Sequence, residues 1–318
     1  MALRLSVKIG KLILKNPVMV ASGTFGYGDE YRDFMNLKEL GAIVTKTITL
    51  NPRKGNPAPR TCETPAGLLN SIGLENPGID NFISQKIPFL CGLGIPIIVS
   101  IASEDDPAEF MALARRLDTI KEVMAIELNI SCPNIRRRNS ADGFSVIDRG
   151  GCGLISQDIE ATYNLVKAVR RETGKTIITK LSPNVTSISE IALAAEAGGS
   201  DAVSLVNTFI GMSIDVEKRR PRVAAVTAGL SGPAIRPLAI RAVWEVYRNI
   251  TIPIIGMGGI MDTSSAMEFI IAGASAVSVG TANFINPAVT REIIHGIRRY
   301  LMKNKINDIK RITGSLKI

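Results

Sequence analysis

Apolar and polar positions along this chain repeat in one rhythm. A short run rich in Val and Ile, apolar at successive positions, is followed by a longer stretch with helical spacing. Runs of the first kind occupy residues 17–21, 42–48, 95–102, 123–130, 176–181, 202–207, 253–257 and 276–280. Strands apolar on both faces are those of a parallel sheet covered by helices. The stretches between them carry legible helix ends. Ser187-x-x-Glu190 is a capping box that opens a helix over 188–197, and Gly198-Gly199 closes it. Asp106-Pro107 starts a helix running through Arg116, with proline in the tolerated first turn. Asp262 caps a further helix over 264–272, and residues 291–300 form another near the C-terminus.

One device recurs, in which a helix end, a small-residue turn and a strand follow each other. It is written as Leu40-Gly41-Ala42-Ile43-Val44, as Ala197-Gly198-Gly199-Ser200-Asp201-Ala202-Val203, and as Ala272-Gly273-Ala274-Ser275-Ala276-Val277. Repeated strand–helix units predict an α/β fold, a (β/α)8 TIM barrel, which typically takes ~250 residues. The surplus in 318 residues falls in paired N-terminal β-strands over 1–15, a Pro-rich insertion over 51–88, and a loop over 135–153. The loops belong at the C-terminal face of one domain spanning 1–318. A doubly wound open sheet fits less well, because no Gly-x-Gly-x-x-Gly turn follows the first strand.

Composition narrows the class. With 46% hydrophobic and 21% charged residues the chain is not a disordered one. No window approaches the ~20 apolar residues needed to span a bilayer, and residues 1–15 lack a secretory apolar core. Four cysteines without short paired spacings argue against a disulfide framework and against zinc, which fits a reducing cytoplasm. The net charge of +9 gathers at Arg136-Arg137-Arg138, at Lys218-Arg219-Arg220 with Arg222, and over 298–311. Nucleic acid is one partner such charge could serve. Aromatic residues make up only 5% and interleave with none of these clusters, so a base-stacking platform is missing. A solvated surface accounts for most of the excess.

Chemistry in a barrel of this kind gathers at the C-terminal ends of its strands. Read in order, those ends are Ser22-Gly23, Lys46-Thr47, Ser100, Asn129 with Cys132, Lys180, Asn207-Thr208, Gly258-Gly259 and Gly280-Thr281. Cys132 alone has a bland reading as a small buried hydrophobe. Lys46 and Lys180 sit in apolar runs, where a lysine loses hydration and calls for an anionic partner; the alternative is snorkelling from the rim. Glycines ending the last two strands let backbone N–H groups approach a phosphate, and Gly232 adds another close approach. A phosphate grip, a lysine and a thiol together suggest a flavin such as FMN, whose reduction leaves negative charge that an ammonium stabilises. Pyridoxal phosphate ranks lower for want of a marked pyridine-nitrogen partner. His295, the only histidine, falls in the C-terminal helix, so neither a metal site nor a His-based triad is expected.

The residues taken together resemble the class 1 dihydroorotate dehydrogenases, FMN-dependent barrel enzymes of pyrimidine (UMP) biosynthesis, over nearly the whole chain. The resemblance is carried by Ala21-Ser22-Gly23-Thr24-Phe25-Gly26, Thr45-Lys46-Thr47, Asn70-Ser71-Ile72-Gly73-Leu74 and Asn129-Ile130-Ser131-Cys132-Pro133-Asn134. It continues through Lys180-Leu181-Ser182-Pro183-Asn184, Asn207-Thr208, Leu230-Ser231-Gly232-Pro233, Gly256-Met257-Gly258-Gly259-Ile260 and Gly280-Thr281-Ala282. The pattern is most similar to the 1B subclass, which implies a homodimer within a heterotetramer. The second subunit there carries FAD and a [2Fe–2S] cluster and passes electrons to NAD+.

The resemblance implies that Cys132 takes the C5 proton of dihydroorotate while C6 delivers hydride to FMN N5. Lys46, Asn70, Ser71, Ile72, Gly73, Leu74, Asn129, Asn207 and Thr208 would hold the substrate. Ser22, Lys46, Thr47, Ser100, Asn129, Lys180, Val206, Gly232, Gly258, Gly259, Gly280 and Thr281 would hold FMN. Two departures stand out. Ser100 occupies a place where the family usually has Asn, so it would reach the flavin more weakly or through water. The segment after Cys132 is longer than usual and includes Arg136-Arg137-Arg138 and Cys152, and a loop there commonly serves as a lid.

Three rivals differ in recognisable ways. A dihydropyrimidine dehydrogenase shares the flavin barrel and a Cys base, but Lys46 and the 70–74 segment suit a carboxylate better. A dihydrouridine synthase also sets a cysteine beside FMN, yet normally needs a helical RNA-binding domain after the barrel, for which 283–318 is too short. A non-catalytic phosphate-binding barrel leaves the lysines and Cys132 without a purpose.

Overall fold

The computed structural model describes residues 3–103, 106–130 and 155–318. Cys132, Arg136-Arg137-Arg138, Cys152 and the expected loop over 135–153 lie outside the described residues.

All eight apolar runs are strands: β1 (Val18–Val20), β2 (Ile43–Val44), β3 (Ile97–Ile101), β4 (Val123–Asn129), β5 (Thr176–Lys180), β6 (Ala202–Leu205), β7 (Ile254–Gly256) and β8 (Ala276–Val279). They form one parallel eight-stranded sheet in which β1 pairs β8 and then each strand pairs its predecessor down to β2. A parallel bridge from Met19 to Ala42 joins β1 to β2 and closes the ring. The run over 42–48 is a strand only to Val44, because the Lys46 N–H turns away to donate to Gly26 O at 2.8 Å. Strand pairing resumes as a bridge between Ile48 and Ile101.

Helices α1 (Pro107–Asp118), α2 (Ile159–Glu172), α3 (Ile188–Ala197), α4 (Arg236–Tyr247), α5 (Thr263–Ala272) and α6 (Val289–Lys303) sheathe the barrel. The caps expected at Asp106, Ser187 and Asp262 are made, and Asp158 adds a cap with no expectation behind it. At Ser187 only the half of the box that takes the Glu190 N–H is present. Asp106, Asp158 and Ser187 side chains accept from backbone N–H groups of Ala108, Ala161 and Glu190. The reciprocal capping box is made at Asp262 and Ser265. Helix α1 runs two residues beyond Arg116, and α6 exceeds 291–300 at both ends, because fraying turns carry little sequence signal.

The N-terminal hairpin, Val7–Ile9 against Leu12–Leu14, covers the N-terminal end of the barrel. Gly10 makes the turn at φ +56°, and a Cβ there would come within 2.7 Å of Thr176 at the start of β5. At that same end Lys175 Nζ donates to Ile120 O at 2.8 Å and Val123 O at 2.7 Å, and burial lowers its pKa.

At the opposite end a four-stranded antiparallel sheet is added. Its order is Phe209–Gly211, Ala228–Ser231, Gly67–Asn70, Thr61–Thr64. Within the Pro-rich insertion, residues 61–70 are therefore a hairpin paired to a segment that follows β6, and the two together wall the C-terminal face, while residues 78–91 are helical.

Candidate active site

Side chains on the inward face of a barrel strand recur every second residue, and those nearest the C-terminal end reach the surface there. On β4 this brings Asn129 to the mouth with Glu127 beneath it; on β5 it brings Lys180, and on β6 Ser204, to the same layer. The mouth opens into a cavity of about 210 Å³ roofed by the added antiparallel sheet.

Ser22, Lys46, Thr47, Asn70, Ile72, Gly73, Leu74, Asn129, Lys180, Val206, Asn207, Thr208, Gly232, Gly258, Gly259, Gly280 and Thr281 all line it. Of the described residues expected at the site, only Ser71 and Ser100 stand behind the wall. Ser100 has no exposed surface, and its Oγ lies 3.0 Å from Thr47 Oγ1. Thr47 Oγ1 in turn accepts from Asn129 Nδ2 at 3.2 Å. Ser100 thus reaches the cavity through Thr47 rather than by contact. Ser71 is likewise fully buried and ties the 70–74 segment to Arg60 through its N–H, 2.7 Å from Arg60 O.

Two polar groupings meet in the cavity. One runs along its wall from Thr47 to Asn129 to Asn207, whose Nδ2 lies 3.4 Å from Asn129 Oδ1 and whose Oδ1 accepts from Thr208 N at 2.8 Å. Half-buried Lys46 and the 70–74 segment face the same space. That segment is pinned by Asn56, which donates to Ser71 O at 2.9 Å and to Ile72 O at 2.9 Å, and by Asn76, which donates to Leu74 O at 2.7 Å. The grouping offers amide donors and acceptors beside an ammonium, which suits a planar heterocycle carrying a carboxylate.

The second grouping begins with Lys180, 5% exposed, whose Nζ donates to Ser22 Oγ at 3.0 Å and lies 3.7 Å from Glu127 Oε1. It continues into a cradle of glycines. Gly232, Gly258 and Gly259 have φ of +93°, +125° and +76°, and a Cβ on Gly259 would lie 2.7 Å from Gly232 O. Thr281 Oγ1 donates to Ser231 Oγ at 2.8 Å beside them. Backbone packed this closely in left-handed turns leaves a concavity of the kind that receives a phosphate.

Thr61, Leu68, Ile235 and Phe284 also line the cavity without a sequence signal of their own. Glu127, beneath the floor, carries a signal that the reading of strand ends passes over, a carboxylate within an apolar strand. Among the described residues no group of His, Cys, Asp and Glu could hold a metal ion. His295 pairs with Glu39 at 3.1 Å on the outer surface. No described helix is long and apolar enough to cross a membrane.

The family model of dihydroorotate dehydrogenase matches residues 4–301. The chain is 50% identical over 315 residues to the catalytic subunit of dihydroorotate dehydrogenase B (NAD(+)) of Desulforamulus reducens, covering 99% of each chain. It is 51% identical to the protein of the same name from Trichlorobacter lovleyi over 98% of each chain. Its identity to that of Thermoanaerobacter pseudethanolicus is 50%, over 99% of this chain and 100% of the relative. This chain therefore belongs to the dihydroorotate dehydrogenase family.

Proposed function

We propose that the protein oxidises (S)-dihydroorotate to orotate in pyrimidine biosynthesis, as an FMN-binding catalytic subunit that passes electrons to a separate subunit and on to NAD+. The observation that carries this reading is the meeting, in one cavity, of an ammonium-and-amide wall and a glycine cradle beside a buried lysine. The residues fit FMN. The cradle at Gly232, Gly258 and Gly259 admits no Cβ at Gly259, and Gly280 and Thr281 flank it, which suits a phosphate. Lys180 supplies positive charge at the floor. When bound, FMN supplies a hydride acceptor.

The chain's own residues do the rest. Lys46 pairs with the substrate carboxylate, while Asn70, Asn129, Asn207 and Thr208 exchange hydrogen bonds with the ring's amides and carbonyls. The Ile72–Gly73–Leu74 backbone excludes water from one side. Cys132 follows Asn129 closely in the chain and accepts the C5 proton. A thiol titrates near ~8.5, so the reactive thiolate fraction grows with pH. The rate of the reductive half-reaction should therefore rise from pH 6 to 9, and C132S should lower it by ~100-fold or more.

The deciding experiment is anaerobic addition of dihydroorotate to the purified yellow protein. Bleaching of the flavin spectrum supports the reading. Flavin that stays oxidised in intact protein redirects it to another substrate. Electron transfer to NAD+ should appear only when a subunit carrying FAD and a [2Fe–2S] cluster is added. Four cysteines without short paired spacings suit a cytoplasmic enzyme.

A further inference from the structure

Beneath the cavity floor lies a charge that the reading above does not use. Glu127 projects into the barrel from β4, its side chain 3% exposed, within a strand otherwise apolar up to Asn129. Its Oε2 accepts from Ser204 Oγ at 3.2 Å. Its Oε1 has no hydrogen-bond partner among the described residues and stands 3.7 Å from Lys180 Nζ. The ammonium is held instead by Ser22 Oγ, at 3.0 Å.

A buried carboxylate is costly to keep, and a buried ion pair seldom stabilises a fold more than apolar side chains of the same volume would. Stability therefore does not account for Glu127. Its geometry toward Lys180 does. One oxygen is anchored by Ser204 and the other faces the ammonium beyond hydrogen-bond reach. Glu127 thus acts on Lys180 through charge while leaving it seated on Ser22 at the cavity.

We infer that Glu127 is the buried counter-charge of Lys180, a positioning residue that partly neutralises the ammonium and so holds the reduction potential of the bound flavin down. The inference rests on the cavity being an FMN site. Two-electron reduction adds negative charge to the flavin. With Glu127 present that charge meets a nearly neutral carboxylate–ammonium pair; without it, it would meet an uncompensated cation and form more readily. A lower potential suits a catalytic subunit that must hand its electrons onward.

Glu127→Gln is close to isosteric, and its amide oxygen can still accept from Ser204. The measurement is the midpoint potential of FMN on the purified holoprotein, by anaerobic dye-equilibrated titration, with flavin content determined on the same sample. In E127Q we expect FMN to remain bound and the two-electron reduction equilibrium to shift at least tenfold toward reduction, which is ~30 mV for a two-electron couple. Glu127→Asp draws the carboxylate back by one methylene and should move the potential the same way by less; it also serves if E127Q fails to fold. A merely structural Glu127 would change melting temperature and leave the potential alone. Flavin-loaded E127Q and E127D with the wild-type potential, or a lower one, overturn the inference. Wild-type protein that binds no FMN overturns the reading of the cavity itself, and this inference with it.

Discussion

The turn after β7 offers a direct test of how tightly the cavity wall is built. Gly259 has φ +76°, and an added Cβ would lie 2.7 Å from Gly232 O, 2.8 Å from Arg236 Cβ and 3.1 Å from Arg236 N. The nearest obstacle is backbone, so no rotamer change relieves it. A left-handed conformation costs an L-residue roughly 1–2 kcal/mol before any clash. With the clash, Gly259→Ala should cost about 1–3 kcal/mol. For a chain of this size that is roughly 2–3 °C per kcal/mol, so the apoprotein should melt about 2–9 °C lower. Strain is relieved only by moving the turn away from Gly232, which widens the cradle. FMN affinity should fall about tenfold, the equivalent of ~1.4 kcal/mol. The control is Gly174→Ala near the opposite end of the barrel, where no heavy atom lies within 4 Å of the new Cβ. It should be neutral or stabilising by up to ~1 kcal/mol. Thermal melts of both apoproteins and flavin-fluorescence titrations decide the matter. G259A with wild-type melting and wild-type FMN affinity would refute the argument.

Two further predictions concern the frame of the site. Asn76, 6% exposed, bonds Thr49 N, Thr49 Oγ1, Leu74 O and Gly78 N. Asn76→Ala leaves buried groups unpaired and should cost about 2–4 kcal/mol in denaturant unfolding; it should also raise the KM for substrate several-fold, with a smaller change in kcat, because the 70–74 segment loosens. Asp262 is held below the ordinary aspartate value of 3.8 by the Ser265 N–H, then by the Ser265 hydroxyl, with Arg236 adding to it. Its contribution to stability is therefore complete above pH 3.8 and lost as pH falls through its lower folded value. Asp262→Asn keeps a capping oxygen but does not titrate, so melting temperature should fall less steeply below pH 4 than in the wild type. An unchanged acid limb would refute that assignment.

Much of the site was legible before folding because burial and polarity conflict visibly in a parallel barrel. Lys46 and Lys180 stand out as charges inside apolar runs, and paired glycines at strand ends mark close backbone approach. The roof of the cavity was not legible in the same way. Thr61–Thr64 and Gly67–Asn70 are short and neither alternates clearly between apolar and polar, and Gly67–Asn70, which pairs Thr61–Thr64, finds its other partner in the distant segment Ala228–Ser231. Thr61 and Leu68 enter the cavity only through that tertiary arrangement.

The sequence by itself determined the barrel, the strand ends where chemistry collects, and the family, because local apolar runs, caps and motifs are properties of contiguous residues. Only the tertiary structure decided that Ser100 serves Thr47 rather than the cavity, and that Glu127 lies against Lys180 with Ser204 at its back. Those relations depend on register between neighbouring strands and on which oxygen finds which donor, and distance across a closed sheet is written in no single stretch of chain.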